Sequence, residues 1–205
     1  MVEFLHLKQR RGAVANVFYY VFNALLALAV VGLTVIFAND PWPAVFLLVL
    51  SKWRTVAVRP RYWRANILSS LPDLFLGLGV IVISWQAGAS ASGGAIFAQI
   101  ILAILYALWL TLVKPQEGRK WANAQAQISQ FVALAALFSL AFALPLVVVV
   151  GLAALIAWAA ARQAIGMYDE NAAFLLELLW GALVAELAFA AWHWTVAYQI
   201  PASGV

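Results

Sequence analysis

Long apolar runs and short polar breaks alternate along the chain, and the spacing of the breaks predicts its elements. Val17 to Ala38 is apolar and ends at Asn39-Asp40-Pro41, where proline cannot continue a helix. A lipid-crossing helix takes roughly 20 mostly apolar residues, so this run predicts a first span, retained and not cleaved as a signal. Trp42 to about Val58 predicts a second, short in its apolar part because Lys52 and Arg54 arrive early and must snorkel. A third extends from about Ile67 or Leu71 to Gln86. Ser70-Leu71-Pro72-Asp73 has capping-box spacing, which predicts that the membrane helix proper starts near Ser70, with Tyr62 to Leu68 along the interface. Ala95 to Val113 is the fourth, stopped by Lys114-Pro115, and Gly118 to Gln127 is a polar linker.

Ile128 to Ala161 is apolar for too long to be one crossing: a helix of that length would reach roughly 50 Å against a hydrocarbon core of about 30 Å. Pro145 near its middle predicts a hairpin of two spans, Ile128 to Leu144 and Pro145 to Ala161. The last span is Ala172 to Tyr198, with Asn171 as N-cap. The pattern thus predicts an all-α, polytopic transmembrane helical bundle of seven spans in a single integral membrane domain, residues 1–205. A six-span alternative fuses the hairpin into one tilted helix.

Charge tests that count independently of hydropathy, because cytoplasmic loops hold the Lys and Arg. All 12 basic residues fall in alternate polar segments: Lys8, Arg10 and Arg11; then Lys52 to Arg64; then Lys114, Arg119 and Lys120; then Arg162. Seven spans place every one on the same side, with the amino end cytoplasmic. Six spans would strand Arg162 outside.

Composition agrees: the chain is 66% hydrophobic and 10% charged, where a soluble domain carries about 25% charged residues. Its net charge of +4 sits beside apolar spans, so anionic lipid headgroups on the cytoplasmic side are the expected partner, not nucleic acid. Arg59-Pro60-Arg61-Tyr62-Trp63-Arg64 is the densest such patch, and Arg59, Arg61 and Arg64 are the expected headgroup contacts. The expected location is the bacterial cytoplasmic membrane. Several of the 10 Trp, among them Trp42, Trp85 and Trp194, fall where interfacial belts form.

Glu186 is the sharpest chemical signal, because it lies near the centre of the last span, where a bare charge is costly. His193, seven residues on, returns to nearly the same helix face, roughly 10 Å further out. Ala182, Ala190 and Ala197 share that stripe, and small residues let helices approach, so the stripe is expected to face the bundle interior. Glu186 and His193 are therefore candidates for a protonatable or transport site. Asp73 is a further candidate toward the inner side, set against its reading as part of the capping box. Glu177 lies on the opposite face from Glu186 and reads as an acid near a helix amino terminus. Asn23, Gln99, Gln130 and Ser139 read as interhelical hydrogen-bonders.

Absences narrow the chemistry. With Cys at 0 and His at 2, there is no thiolate chemistry and no ligand set for a metal, and no nucleotide loop, zinc-protease motif or dinucleotide fingerprint occurs. No cofactor and no catalytic residue is expected. The function these features imply is a non-catalytic membrane subunit or scaffold packing against lipids, partner membrane proteins or further copies of itself. The alternative is a small proton-coupled transporter or channel using Glu186.

Overall fold

The computed structural model describes residues 13–57, 63–89, 93–166 and 172–198. These are mostly helical, with no strand among them: α1 (Ala13–Ile36), α2 (Trp42–Ala57), α3 (Trp63–Ala89), α4 (Gly93–Leu108), α5 (Arg119–Ser139), α6 (Leu146–Ile165) and α7 (Ala173–Tyr198). Five of the seven contain apolar stretches long enough to cross a membrane: α1, α3, α6, α7, and α4 taken together with the π-helical turn Trp109–Val113 that continues it. The other two fall short for reasons visible in their residues. The apolar part of α2 stops at Trp53, and α5 opens on Arg119, Lys120 and a run of Asn and Gln.

The long apolar stretch divides at Pro145. After α5 a short 3-10 turn, Ala141–Ala143, leads to Leu144 and Pro145 in extended conformation, and α6 begins at the next residue. Proline supplies no amide hydrogen but starts a helix well, since its fixed φ suits the first turn.

The capping-box expectation at Ser70 is not met. α3 runs unbroken from Trp63 through Pro72 to Ala89, and the Ser70 hydroxyl donates back to the Ile67 carbonyl at 2.9 Å instead of capping a helix start. That backward bond is the usual use of a serine inside a helix. It leaves Asp73 free for partners on other helices.

Two apolar cores result. The first gathers α1, α2, α3 and α4 around Val30, Leu48, Ile81 and Tyr106; the second gathers α5, α6 and α7 around Leu137, Val149, Ala157 and Val184. α3 joins them by packing on α5, where a Cβ on Gly79 would stand 3.0 Å from the Val132 carbonyl oxygen. The most extensive pair is α6 with α7, helped by buried Ala153, Ala157, Ala160 and Ala161 and by Gly181, whose Cβ position lies 3.3 Å from the Ala154 carbonyl oxygen. Small residues of this kind let helix backbones approach where lipid offers no hydrophobic drive. The outward surfaces are apolar as well, with Phe22, Leu28, Phe97, Ile104, Leu179 and Leu187 all exposed.

Candidate functional site

The ion pairs between helices collect at one end of the bundle. Asp73 on α3 forms ion pairs with Lys52 on α2, at 3.4 Å, and with Lys114 just past α4. The path to Lys114 is unusual: residues Trp109–Val113 form a π-helical turn in which the Lys114 amide bonds the Trp109 carbonyl at 2.9 Å. In an unbroken α-helix Tyr106 and Lys114, eight residues apart, would diverge by roughly 80°. The wider turn takes up an extra residue per winding and swings Lys114 back toward the face that carries Tyr106. The Tyr106 hydroxyl lies 3.0 Å from the Cβ position of Gly77, one turn along α3 from Asp73, so the face with Tyr106 is the one turned to Asp73.

Burial acts to lower the Lys114 pKa, but the Asp73 charge and hydrogen bond overcome it and hold the group above the ordinary lysine value. The stabilisation it gives is therefore complete at neutral pH and is lost only as the pH rises through that raised value.

The same end continues into the second core. Gln125 on α5 donates to the Val113 carbonyl at 2.8 Å and to the Gln116 carbonyl at 3.2 Å, tying α5 to the segment that follows α4, and accepts from Gln163 on α6 at 3.2 Å. Beside Gln163, the guanidinium of Arg162 lies 3.3 Å from the buried Glu177 carboxylate on α7 and stacks 5.6 Å above the Trp158 ring. At the opposite end the interhelical contacts are neutral: Thr34 with Ser84 at 2.6 Å, Gln99 to the Ser84 carbonyl at 2.9 Å, and Trp85 to the Ala38 carbonyl at 2.8 Å.

The candidate residues are thus not brought together. Asp73 sits in the ionic end, while Glu186 and His193 lie along α7 on its outer surface. The expectation that Glu186 faces the interior is overturned: Ala182, Glu186, Ala190 and His193 are exposed, and α7 packs through Glu177, Gly181, Val184 and Ala188. Nine residues separate Glu177 from Glu186, which is half a turn in phase, so the ion pair that draws Glu177 inward turns Glu186 out. Glu186 makes no hydrogen bond or ion pair with any described residue, and it lies about 4 Å from the centre of the apolar stretch Ala173–Trp194. An acid left in hydrocarbon at that depth costs roughly 3 kcal/mol or more. His193 packs edge-on against Phe189, ring centres 4.4 Å apart, and against Trp192 at 5.3 Å.

Of the remaining polar candidates, Gln99 and Gln130 bond across helices, the latter accepting from Trp180 at 3.2 Å. Asn23 and the Ser139 hydroxyl bond within their own helices. Arg59 and Arg61 lie outside the described residues, as do Asn171 and the side chain of Arg64. No cluster of three metal-ligating side chains occurs among the described residues. Glu177 and its partner Arg162 are the functional-looking pair that residue patterns undervalued. The signal was the half-turn offset of the two acids, only one of which has a base at its own depth.

Set against protein-family models, curated proteins and solved structures, the chain shows no match in any of the three. Class assignment therefore rests on the fold alone: a helical chain with five long apolar helices, compatible with a multi-pass membrane protein.

Proposed function

We propose that this chain is a non-catalytic subunit or scaffold of the bacterial cytoplasmic membrane, crossing it seven times with the amino end in the cytoplasm. On this reading α2 and α5 cross with their basic termini snorkelled to the inner face, and the ionic end of the bundle is cytoplasmic. Arg59, Arg61 and Arg64 contact anionic headgroups there. The observation that carries the reading is the division of the acids. Asp73 and Glu177 are engaged in ion pairs that join helices, and Glu186, the remaining acid within a long apolar helix, points away from the bundle toward whatever borders it. An acid on the outer surface of a span suits a contact with another protein. The transport alternative needs Glu186 on a path through the bundle, and no observation places it on one.

Photo-crosslinking in native membranes tests the proposal. A photoreactive residue at Leu183, beside Glu186, is expected to capture protein, whereas one at Phe97 on the outer face of α4 is expected to capture only lipid. Equal and protein-free labelling at both positions would overturn the scaffold reading. The span count has its own check: single cysteines placed at Asn39 and Ala143 should react with an impermeant reagent from outside, and one at Gln116 only from inside.

A further inference from the structure

We infer that the crevice between α3, α4 and α5 holds one anionic phospholipid, with an acyl chain in the crevice and the phosphate against Lys52 and Lys114. This rests on the reading of the chain as membrane-spanning with its ionic end at the cytoplasmic interface. Leu76 and Val80 of α3, Leu105 of α4, and Ile128 and Val132 of α5 wall a cavity of about 360 Å³. Pockets that bury a ligand begin at roughly 300 Å³. Leu105 and Ile128 are exposed, so the cavity opens sideways onto the surface that lipid covers. Trp109, which opens the π turn, completes the wall, and its indole N–H is buried without a hydrogen-bond partner. A buried donor left unpaired is costly, and single π turns inside helices concentrate at functional sites.

Charge selects the occupant. Asp73, Leu76 and Val80 stand at i, i+3 and i+7 on α3 and share one face, so the ionic cluster closes the inner end of the cavity. Lys52 and Lys114 both turn their ammonium groups to the same oxygen, Oδ2 of Asp73. Two positive charges on one carboxylate leave one unmatched, and neither lysine has another acid among the described residues. From Pro41 to Pro72 the sequence is basic at Lys52, Arg54, Arg59, Arg61 and Arg64 and contains no acid, so the connection between α2 and α3 supplies no counter-charge either. The side chains of Lys52 and Lys114 keep 15% and 29% of their surface exposed, enough for an oxyanion to reach donors that Asp73 does not take. A phosphodiester brings the single negative charge that is missing. A headgroup with its own cation would be repelled by the two lysines, so the fitting lipid is one whose headgroup is otherwise uncharged. Trp109 lies five residues deeper in the span than Lys114, roughly 7 Å, on the side of the phosphate where the glycerol ester carbonyls hang and offer an acceptor.

Native mass spectrometry of the purified full-length protein, titrated in detergent with phosphatidylglycerol, phosphatidylcholine of matched chains, or inorganic phosphate, tests the site. Phosphatidylglycerol is expected to bind about tenfold more tightly than phosphatidylcholine, the scale of one hydrogen bond to a charged group. Lys114→Met leaves Lys52 and Asp73 as a neutral pair and should bring phosphatidylglycerol down to the level of phosphatidylcholine, and Lys52→Met should do the same from the other side of the cluster. Leu105→Trp blocks the cavity from its exposed rim, where a larger side chain does not threaten the fold, and should weaken both lipids. Lys120→Met, at the exposed start of α5, should change nothing. Equal binding of the two lipids by the parent, or phosphatidylglycerol binding that survives either lysine variant or Leu105→Trp, would overturn the inference. Inorganic phosphate that displaces phosphatidylglycerol at equal concentration would show a site for a free anion and would overturn the lipid assignment. The scaffold reading is judged separately by capture of protein at Leu183 on α7, which no outcome at this cavity alters.

Discussion

Asp73 and Glu186 are both acids well inside apolar helices, and the molecule treats them in opposite ways. Asp73 sits in the ionic end with Lys52 and Lys114, brought to it from α2 and from beyond the π turn. Glu186 sits at mid-span with no hydrogen-bond or ion-pair partner among the described residues. The difference teaches that an intramembrane acid is read by the direction of its helix face, not by its depth alone. Facing in, it is a fastener between helices; facing out, it marks the border with something else.

Removing the ionic end's acid should have the largest effect. Asp73→Leu leaves two lysines without a counter-charge in a largely buried setting, and it is expected to cost about 3 kcal/mol of stability, read from reversible unfolding in mixed micelles. The second ion pair should be asymmetric. Arg162→Ala, which orphans the buried Glu177, is expected to cost about 2 kcal/mol, and Glu177→Ala only about 1, because half-exposed Arg162 can snorkel to water. Equal losses in the two variants would show that Glu177 is better hydrated than its burial implies.

Packing beside the cluster comes next. Gly77→Ala would place a Cβ 2.7 Å from the methyl carbons of Leu48, which is fully buried, and is expected to cost about 1 kcal/mol. At the neutral end Gln99→Leu removes one interhelical hydrogen bond and should cost about 0.6 kcal/mol by the same unfolding assay. Glu186→Leu should be the mildest, changing the unfolding free energy of the isolated chain by less than about 0.5 kcal/mol. A large loss there would mean that Glu186 serves its own fold, and the contrast with Asp73 would collapse.

Much of this architecture was legible in the residues. Runs of apolar positions, the turn at Asn39-Asp40-Pro41 and the break at Pro145 fall where helices end and begin. What the pattern could not decide was rotation. α7 carries small residues on two faces, Gly181 and Ala188 on one and Ala182 and Ala190 on the other, so the small-residue rule alone points both ways. The choice is made by a contact between helices, Glu177 with Arg162, which periodicity within one helix does not contain. Ser70 misled for a related reason: its hydroxyl can cap a helix start or bond back inside a helix, and residues 63–69 joining α3 settle which. The π turn that aims Lys114 had no sequence signature at all.

Asp73 ties helices together while α7 turns Glu186 outward, and reversible unfolding of the isolated chain tests that contrast most directly. Asp73→Leu should lower the unfolding free energy by about 3 kcal/mol and Glu186→Leu by less than about 0.5 kcal/mol. Comparable losses in the two variants would contradict the account.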